Sequence, residues 1–162
     1  MAEVRLLTVH DADIFHALRL RAVKEESDSF LETEEEVAAK SAQDYFKDGW
    51  IAGAFEAGKL VGITGLFRYK GRKLQHKGHV WGVYVVPGAR GQKLSSRMLE
   101  LLLASAKQAG IERVLLSANE KSLHTQDIYM RLGFEPYGVE RNLMKRPDGS
   151  YISDVLMTKV LG

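Results

Sequence analysis

The stretch Val83-Tyr84-Val85-Val86-Pro87-Gly88-Ala89-Arg90-Gly91-Gln92-Lys93-Leu94-Ser95-Ser96-Arg97-Met98-Leu99 decides how this chain is read. A β-rich apolar run stops at Pro87, passes through a short loop with Arg90 and Gly91, and opens an amphipathic segment. The first turn of a helix carries backbone N–H groups with no partner inside the helix, and the helix dipole adds positive potential there. A strand–loop–helix junction of this composition therefore offers a seat for an anion. Gly91 removes a side chain where a phosphate would approach, and it tolerates the angles of a turn whose N–H groups converge. Alone, the pattern reads more simply as an ordinary strand–loop–helix with a solvated Arg.

A second segment shifts that balance. Leu115-Leu116-Ser117-Ala118-Asn119 reads as a strand. Thr125-Gln126-Asp127-Ile128-Tyr129-Met130-Arg131-Leu132-Gly133-Phe134 follows as a short helix carrying a Tyr and closed by Gly and Phe. In this order the two segments closely resemble the acyl-CoA-binding core of the GNAT N-acetyltransferase superfamily. There the first motif reads Val-x-Pro-x-x-Arg-Gly-x-Gly-x-Gly/Ala, and the second ends in Leu-Tyr-x-x-x-Gly-Phe. The resemblance spans residues 81–137 at motif level, and Leu18-Arg19-Leu20-Arg21-Ala22 with Ser29-Phe30-Leu31 is of a kind seen in bacterial members.

The resemblance implies one N-acetyltransferase domain over residues 1–162 with an α+β fold. Its mixed sheet would have about six or seven strands flanked by about four helices, splayed between the fourth and fifth strands. It implies acetyl-CoA as the acyl donor, no metal, and direct attack by a primary amine of a small molecule or peptide within a ternary complex. It places the CoA diphosphate over Arg90, Gly91, Gln92, Lys93, Leu94 and Ser95, held largely by backbone N–H groups. It pairs the backbone of Val83 and Val85 with the pantetheine amides. Tyr129 falls where the family's Tyr faces the sulfur, as the general acid; a phenol near pKa 10 keeps its proton at neutral pH. Without that context Tyr129 reads as a core aromatic.

Three positions depart from the family pattern. Lys93 stands at the second Gly, Ser95 at a Gly or Ala, and Ser122 at an Asn common seven residues before the Tyr. A backbone N–H survives any side chain, so the cradle persists if Lys93 points outward. Asn119 is a candidate contact to the pantetheine arm and, more simply, a turn residue at a helix start.

Composition agrees with a single globular domain. The 162 residues are 45% hydrophobic and 27% charged, with net charge +2. No strong attraction to nucleic acid or to an anionic membrane follows from that balance. The first residues lack the basic-then-apolar pattern of a secretion signal, and no apolar run approaches the ~20 residues that span a bilayer. The absence of Cys excludes disulfides, a thiol nucleophile and Cys-ligated zinc. A cytoplasmic protein is expected, with an amine acceptor as partner and room for a homodimer.

The remaining pattern supplies the elements. Residues 4–9 read as a first strand, and Thr8 with Asp11 as caps for a helix carrying Ile14, Phe15, Leu18 and Ala22. Thr33 and Glu36 form a capping-box signature for a second helix running to residue 47. Residues 50–56 and 59–68 read as a hairpin about Ala57-Gly58, followed by a basic loop and a third meander strand at 79–86. Leu94, Met98, Leu101, Leu102 and Ala106 mark a long helix ending at Gly110. Strands at 113–118, 134–143 and 150–160 complete the chain, with Asp148-Gly149 as a turn. Strict alternation along residues 79–86 puts His79, Trp81, Val83 and Val85 on one side and Val80, Gly82, Tyr84 and Val86 on the other.

A general base is not singled out: His76, His79 and a water relay all remain open. For the acceptor, the family uses the region here formed by residues 27–36 and 137–154. Glu32, Glu34, Glu35 and Glu36 either attract a cationic amine or serve the dipole of the second helix. Phe30 reads as a lid or, more simply, as a staple on that helix; Asp154 orients an amine or lies exposed. Two other functions stay in play: a module that senses CoA esters without turnover, and an unrelated nucleotide-phosphate enzyme. The second is disfavoured because neither P-loop spacing nor Gly-x-Gly-x-x-Gly occurs.

Overall fold

A computed structural model describes residues 2–162 of the protein. Seven strands form one sheet: β1 (Glu3–Leu6), β2 (Trp50–Glu56), β3 (Lys59–Arg68), β4 (Lys77–Val85), β5 (Arg113–Asn119), β6 (Glu135–Lys145) and β7 (Tyr151–Val160). Four helices accompany them: α1 (Ala12–Glu25), α2 (Glu34–Ala39), α3 (Leu94–Gln108) and α4 (Leu123–Arg131). The spatial order is β1-β2-β3-β4-β5-β7-β6. Every neighbouring pair is antiparallel except β4–β5, which is parallel. The expected α+β architecture is therefore present. The parallel pair follows from the α3 crossover, since a helix between two strands returns the chain to the end where it started.

Each face of the sheet carries its own apolar cluster. Leu94, Met98, Leu99, Leu102 and Ala106 of α3 and Tyr129 of α4 pack on one face with Val80, Val114 and Leu116. Phe15, Leu18, Ala22 and Val23 of α1 and Val37 of α2 pack on the other with Ile51, Ile63 and Tyr84. The β2–β3 hairpin turns through Ala57 and Gly58 at φ 51° and 76°, the pair of positive angles that a two-residue turn matched to strand twist requires.

Three expectations are corrected. The first strand ends at Leu6, because Thr8 and Asp11 close a capping box around a 3-10 turn, Val9–Asp11, that precedes α1. The capping box of Thr33 and Glu36 does start α2, but the helix stops at Ala39 and a separate 3-10 stretch runs Ala42–Phe46. A continuous helix would bring Lys40, Ser41 and Asp44 round to the face of buried Val37. The break at Lys40, with φ −84° and ψ 139°, instead lets Tyr45 enter the cluster.

The third correction concerns β4. Its register with β3 slips between Ile63–Tyr84 and Gly65–Trp81, so Gly82 and Val83 together oppose Thr64. This is a β-bulge, and it reverses the alternation beyond it. Trp81 and Tyr84 therefore share the α1 face, while Val80, Val83 and Val85 face the α3 cluster. Gly82 sits in the bulge at φ 65°, and a Cβ built there would lie 2.5 Å from Nη1 of Arg19, a guanidinium held in the core. Gly82→Ala combines left-handed strain with that clash and is expected to remove about 2 kcal/mol of stability, lowering Tm by roughly 4–8 °C. Gly88→Ala, with nothing within 4 Å of its added Cβ, should leave Tm within about 2 °C of the parent. Thermal unfolding followed by circular dichroism checks both.

Candidate active site

The parallel ladder between β4 and β5 is short. It joins Lys77 to Arg113, Gly78 to Val114 and His79 to Leu115, and there it stops. β5 continues as a partner of β7 as far as Asn119, and β4 continues as a partner of β3 as far as Val85. From Val80 onward the edge of β4 that faces β5 has no strand partner among the described residues. Backbone N–H and C=O groups on such an edge demand hydrogen bonds, and an extended chain of amides inserted into the fork would supply them. Val83 and Val85 stand on this edge, where the Val85 carbonyl is already taken by the Arg90 side chain.

The open end of β4 leads into the loop before α3. Pro87–Ala89 forms a 3-10 turn, Gly91 takes φ 86°, and Lys93 takes φ 58° as the N-cap residue of α3. Lys93 thus keeps the left-handed conformation for which a Gly is suited, at a strain of about 1–2 kcal/mol. Its side chain is exposed, so the free N–H groups of the first turn of α3 remain uncovered. A Cβ at Gly91 would meet nothing within 4 Å, so Gly91 contributes its backbone angle and the open space above the loop. Leu94 is buried and anchors the helix start; Ser95 is half-buried.

The side chains of the loop turn away from that space. Arg90 donates from Nε to the Val85 carbonyl at 2.9 Å and from Nη2 to Glu26 at 2.7 Å, bracing the loop against the end of α1. Gln92 donates from Nε2 to Glu56 at 3.1 Å and to the Ala89 carbonyl at 3.3 Å. Gly91, with no side chain, leaves its backbone open to solvent there, the chemistry that suits phosphate oxygens.

Tyr129 lies on α4 in the cluster that also holds Val85 and Ala118, with Val83 packed against it. Its ring meets Phe134 edge-on at 6.2 Å, and the Phe134 N–H donates to the Tyr129 carbonyl at 3.0 Å. The Gly133-Phe134 closure of the helix thereby fixes the ring. Burial pushes the phenol pKa well above its ordinary value, so the hydroxyl stays protonated, and it finds no hydrogen-bond partner among the described residues. Asn119 caps a turn: its Oδ1 accepts from the Lys121 N–H at 2.9 Å and its carbonyl from the Ser122 N–H at 2.9 Å. The Oδ1 of Asn119 is thus engaged at the α4 entry, as the turn reading of this residue expects.

On the α1 face a cavity of about 550 Å³ opens beside the bulge, bordered by Arg19, Glu32, Lys40, Tyr45, Tyr69 and Trp81. Arg19 and Tyr45 are not among the residues expected at a site. A signal for Arg19 was present: it falls on the stripe of α1 that carries Phe15, Ala22 and Val23, where a charge is out of place. Of the four candidate glutamates, Glu34–Glu36 lie exposed in the first turn of α2, and only Glu32 turns inward. Glu32 accepts at Oε1 from Arg19 Nη2 and from the Tyr45 hydroxyl, each at 2.9 Å. Phe30 is buried beneath the Arg19 guanidinium, 4.8 Å from its ring centre.

The histidines separate clearly. His76 is exposed, and its backbone carbonyl serves Glu112 and Arg113. His79 is half-buried where the two strands part, against the rings of Phe67 at 5.5 Å and Tyr69 at 6.4 Å. Its Nδ1 is buried without a hydrogen-bond partner, and burial pushes the imidazole pKa down, so the ring is neutral at pH 7. Asp154 is buried across from Asn119, and desolvation raises its pKa against the pull of the Ser117 hydroxyl. Tyr84 donates a short hydrogen bond to Glu25 at the end of α1.

Comparison with known proteins agrees with this geometry. The model of the acetyltransferase (GNAT) family matches residues 16–134. The aminoalkylphosphonate N-acetyltransferase of Salmonella typhimurium is 27% identical over 146 residues, covering 83% of this chain and 86% of the relative. A GNAT-family acetyltransferase from Streptococcus pneumoniae superposes with a TM-score of 0.80 at 22% identity over 99% of both chains. A phosphinothricin acetyltransferase from Sinorhizobium meliloti, solved in complex with acetyl-CoA, gives 0.80 at 18% identity over 99% of this chain and 89% of its own. A forked sheet, a backbone cradle at the start of α3 and a family match that runs through both thus have one explanation: the chain belongs to the acetyltransferase (GNAT) family and is an acetyl-CoA-dependent acetyltransferase.

Proposed function

We propose that the protein moves the acetyl group of acetyl-CoA directly to the primary amine of a small molecule, with donor and acceptor bound together. The observation that carries this reading is the fork itself. It separates a backbone cradle on the α3 side from an aromatic and charged cavity on the α1 side, and the unpaired edge of β4 connects the two. The name of the Salmonella typhimurium relative, an N-acetyltransferase of aminoalkylphosphonates, supports a small amine as acceptor.

The donor supplies an activated acetyl group on a thioester. In our reading Val83 and Val85 receive the pantetheine arm along the free edge of β4, and the backbone of Arg90, Gly91, Gln92, Lys93, Leu94 and Ser95 receives the diphosphate. Holding both substrates in line supplies much of the acceleration. Two side chains divide the proton work. The acceptor amine must lose a proton to attack, and we assign that proton to His79, neutral and half-buried where the two strands part. Tyr129, buried and protonated, gives a proton to the departing sulfur.

Tyr129→Phe keeps the ring and its contact with Phe134. Stability should change by less than about 1 kcal/mol, because the lost hydroxyl has no partner in the protein. Turnover at saturating amine should fall by roughly 10²–10⁴-fold while acetyl-CoA affinity from calorimetry holds. Full turnover would return Tyr129 to a packing role.

His79→Gln should lower kcat by about 10- to 100-fold. The pH profile is the sharper readout. Burial depresses the His79 pKa, so the wild type should lose activity as pH falls through a value below the ordinary imidazole range, and the variant should lack that acid limb. An unchanged limb would assign the base to water alone.

A further inference from the structure

The acceptor cavity carries a charge imbalance at its inner wall. Three carboxylates border it, Glu32, Asp44 and Asp48. Asp44 is held by Lys47 at 2.6 Å, and Asp48 faces Lys70 at 3.3 Å. Only Glu32 remains for two cations, Arg19 and Lys40. Its Oε1 takes Arg19 at 2.9 Å, and its Oε2 has Lys40 at the long distance of 3.8 Å.

Both cations are incompletely satisfied. The Arg19 side chain is only 7% exposed, yet its Nε and Nη1 have no hydrogen-bond partner. The rings of Phe30, Trp81 and Tyr45 surround the guanidinium at 4.8, 5.2 and 5.7 Å. Ring faces offset part of the cost of burying a cation, but they do not replace oxygen acceptors for its N–H groups. Lys40 lies on the chain between α2 and the 42–46 stretch, 40% exposed, with Nζ 4.3 Å over the Tyr45 ring. It can reach into the cavity or swing out to solvent. The nearby loop adds to the same field: residues 68–77 hold five Lys or Arg and no Asp or Glu, in a chain whose net charge is only +2.

We infer that the cavity holds a subsite for an oxyanion, so the acceptor is a short amine bearing a carboxylate or phosphonate group. The inference rests on the reading of this cavity as the acceptor pocket. The oxyanion binds Lys40 Nζ directly, in place of its long contact with Glu32, and the buried charge of Arg19 stands behind it. Tyr45 and Trp81, stacked at 5.9 Å, form the wall along which the carbon arm lies. The amine then lies at the far end of that arm, away from Lys40.

Four acceptors of similar size test this at saturating acetyl-CoA: 2-aminoethylphosphonate, 3-aminopropanoate, 1-aminopropane and 1,3-diaminopropane. The two oxyanion amines should exceed 1-aminopropane in kcat/KM by about 10- to 100-fold, the range of one or two charge-assisted hydrogen bonds, and the diamine should be the poorest. Which of the first two leads tells phosphonate from carboxylate. Lys40→Gln, at an exposed position, should shrink that preference about tenfold through KM rather than kcat. Equal or better use of 1-aminopropane or the diamine would overturn the subsite while leaving the transfer reaction standing. So would a preference untouched by Lys40→Gln. Calorimetry of the oxyanion amines into the protein–CoA complex gives a readout without turnover. Binding that Lys40→Gln weakens upholds the subsite even if none of the four amines is acetylated, an outcome that would count against the proposed reaction alone. Absence of binding overturns the subsite.

Discussion

Three residue pairs join the two halves of the sheet as a ladder: Lys77–Arg113, Gly78–Val114 and His79–Leu115. On one side lie β1 to β4, on the other β5, β7 and β6. A parallel pair cannot be closed by a tight hairpin, so the chain must cross by α3, and the start of α3 comes to lie at the open end of the fork. The backbone cradle and the free strand edge are thus consequences of a single topological fact. Had β4 and β5 paired along their whole length, the N–H groups that now face the gap would be satisfied and no extended chain could enter.

Other contacts hold the fork open at a set angle. The segment after α1 reaches both arms: Glu26 binds Arg90 beside β4, and Asp28 binds Arg146 at the end of β6 through two hydrogen bonds of 2.9 and 3.1 Å. Exposed ion pairs of this kind contribute little to stability one by one. Their value is positional, because they tie one short segment to both sides of the gap. Beneath it the bulge in β4 turns Trp81 and Tyr84 to the same face, so the cavity on the α1 side and the unpaired edge are built from adjacent residues of one strand.

Much of this was legible in the sequence where one residue type does one local job. Pro87 ends a strand, Ala57-Gly58 makes a turn, and Thr33 with Glu36 starts a helix. Leu94, Met98 and Leu102 mark a buried stripe. The strand–turn–helix junction at residues 85–94 was legible for the same reason, since consecutive residues build it. The cavity was not. Arg19, Glu32, Lys40, Tyr45 and Trp81 come from separate segments, and nothing in their local spacing announces that they meet. The bulge was missed because Gly82 reads like any strand Gly, and a one-residue slip reverses every side chain beyond it. The early end of α2 was missed because the capping box announces where a helix starts, not where Tyr45 must leave it.

The central claim is that the free edge of β4 and the start of α3 form one continuous donor site. Amide hydrogen exchange with and without acetyl-CoA tests it most directly, because the site is built of backbone N–H groups. Bound acetyl-CoA should slow exchange in Val83–Val85 and across residues 91–96, with little change in β1, β2 or the β6–β7 turn at 146–150. Protection confined to the α1 face, with residues 83–85 and 91–96 exchanging as in the free protein, would contradict it.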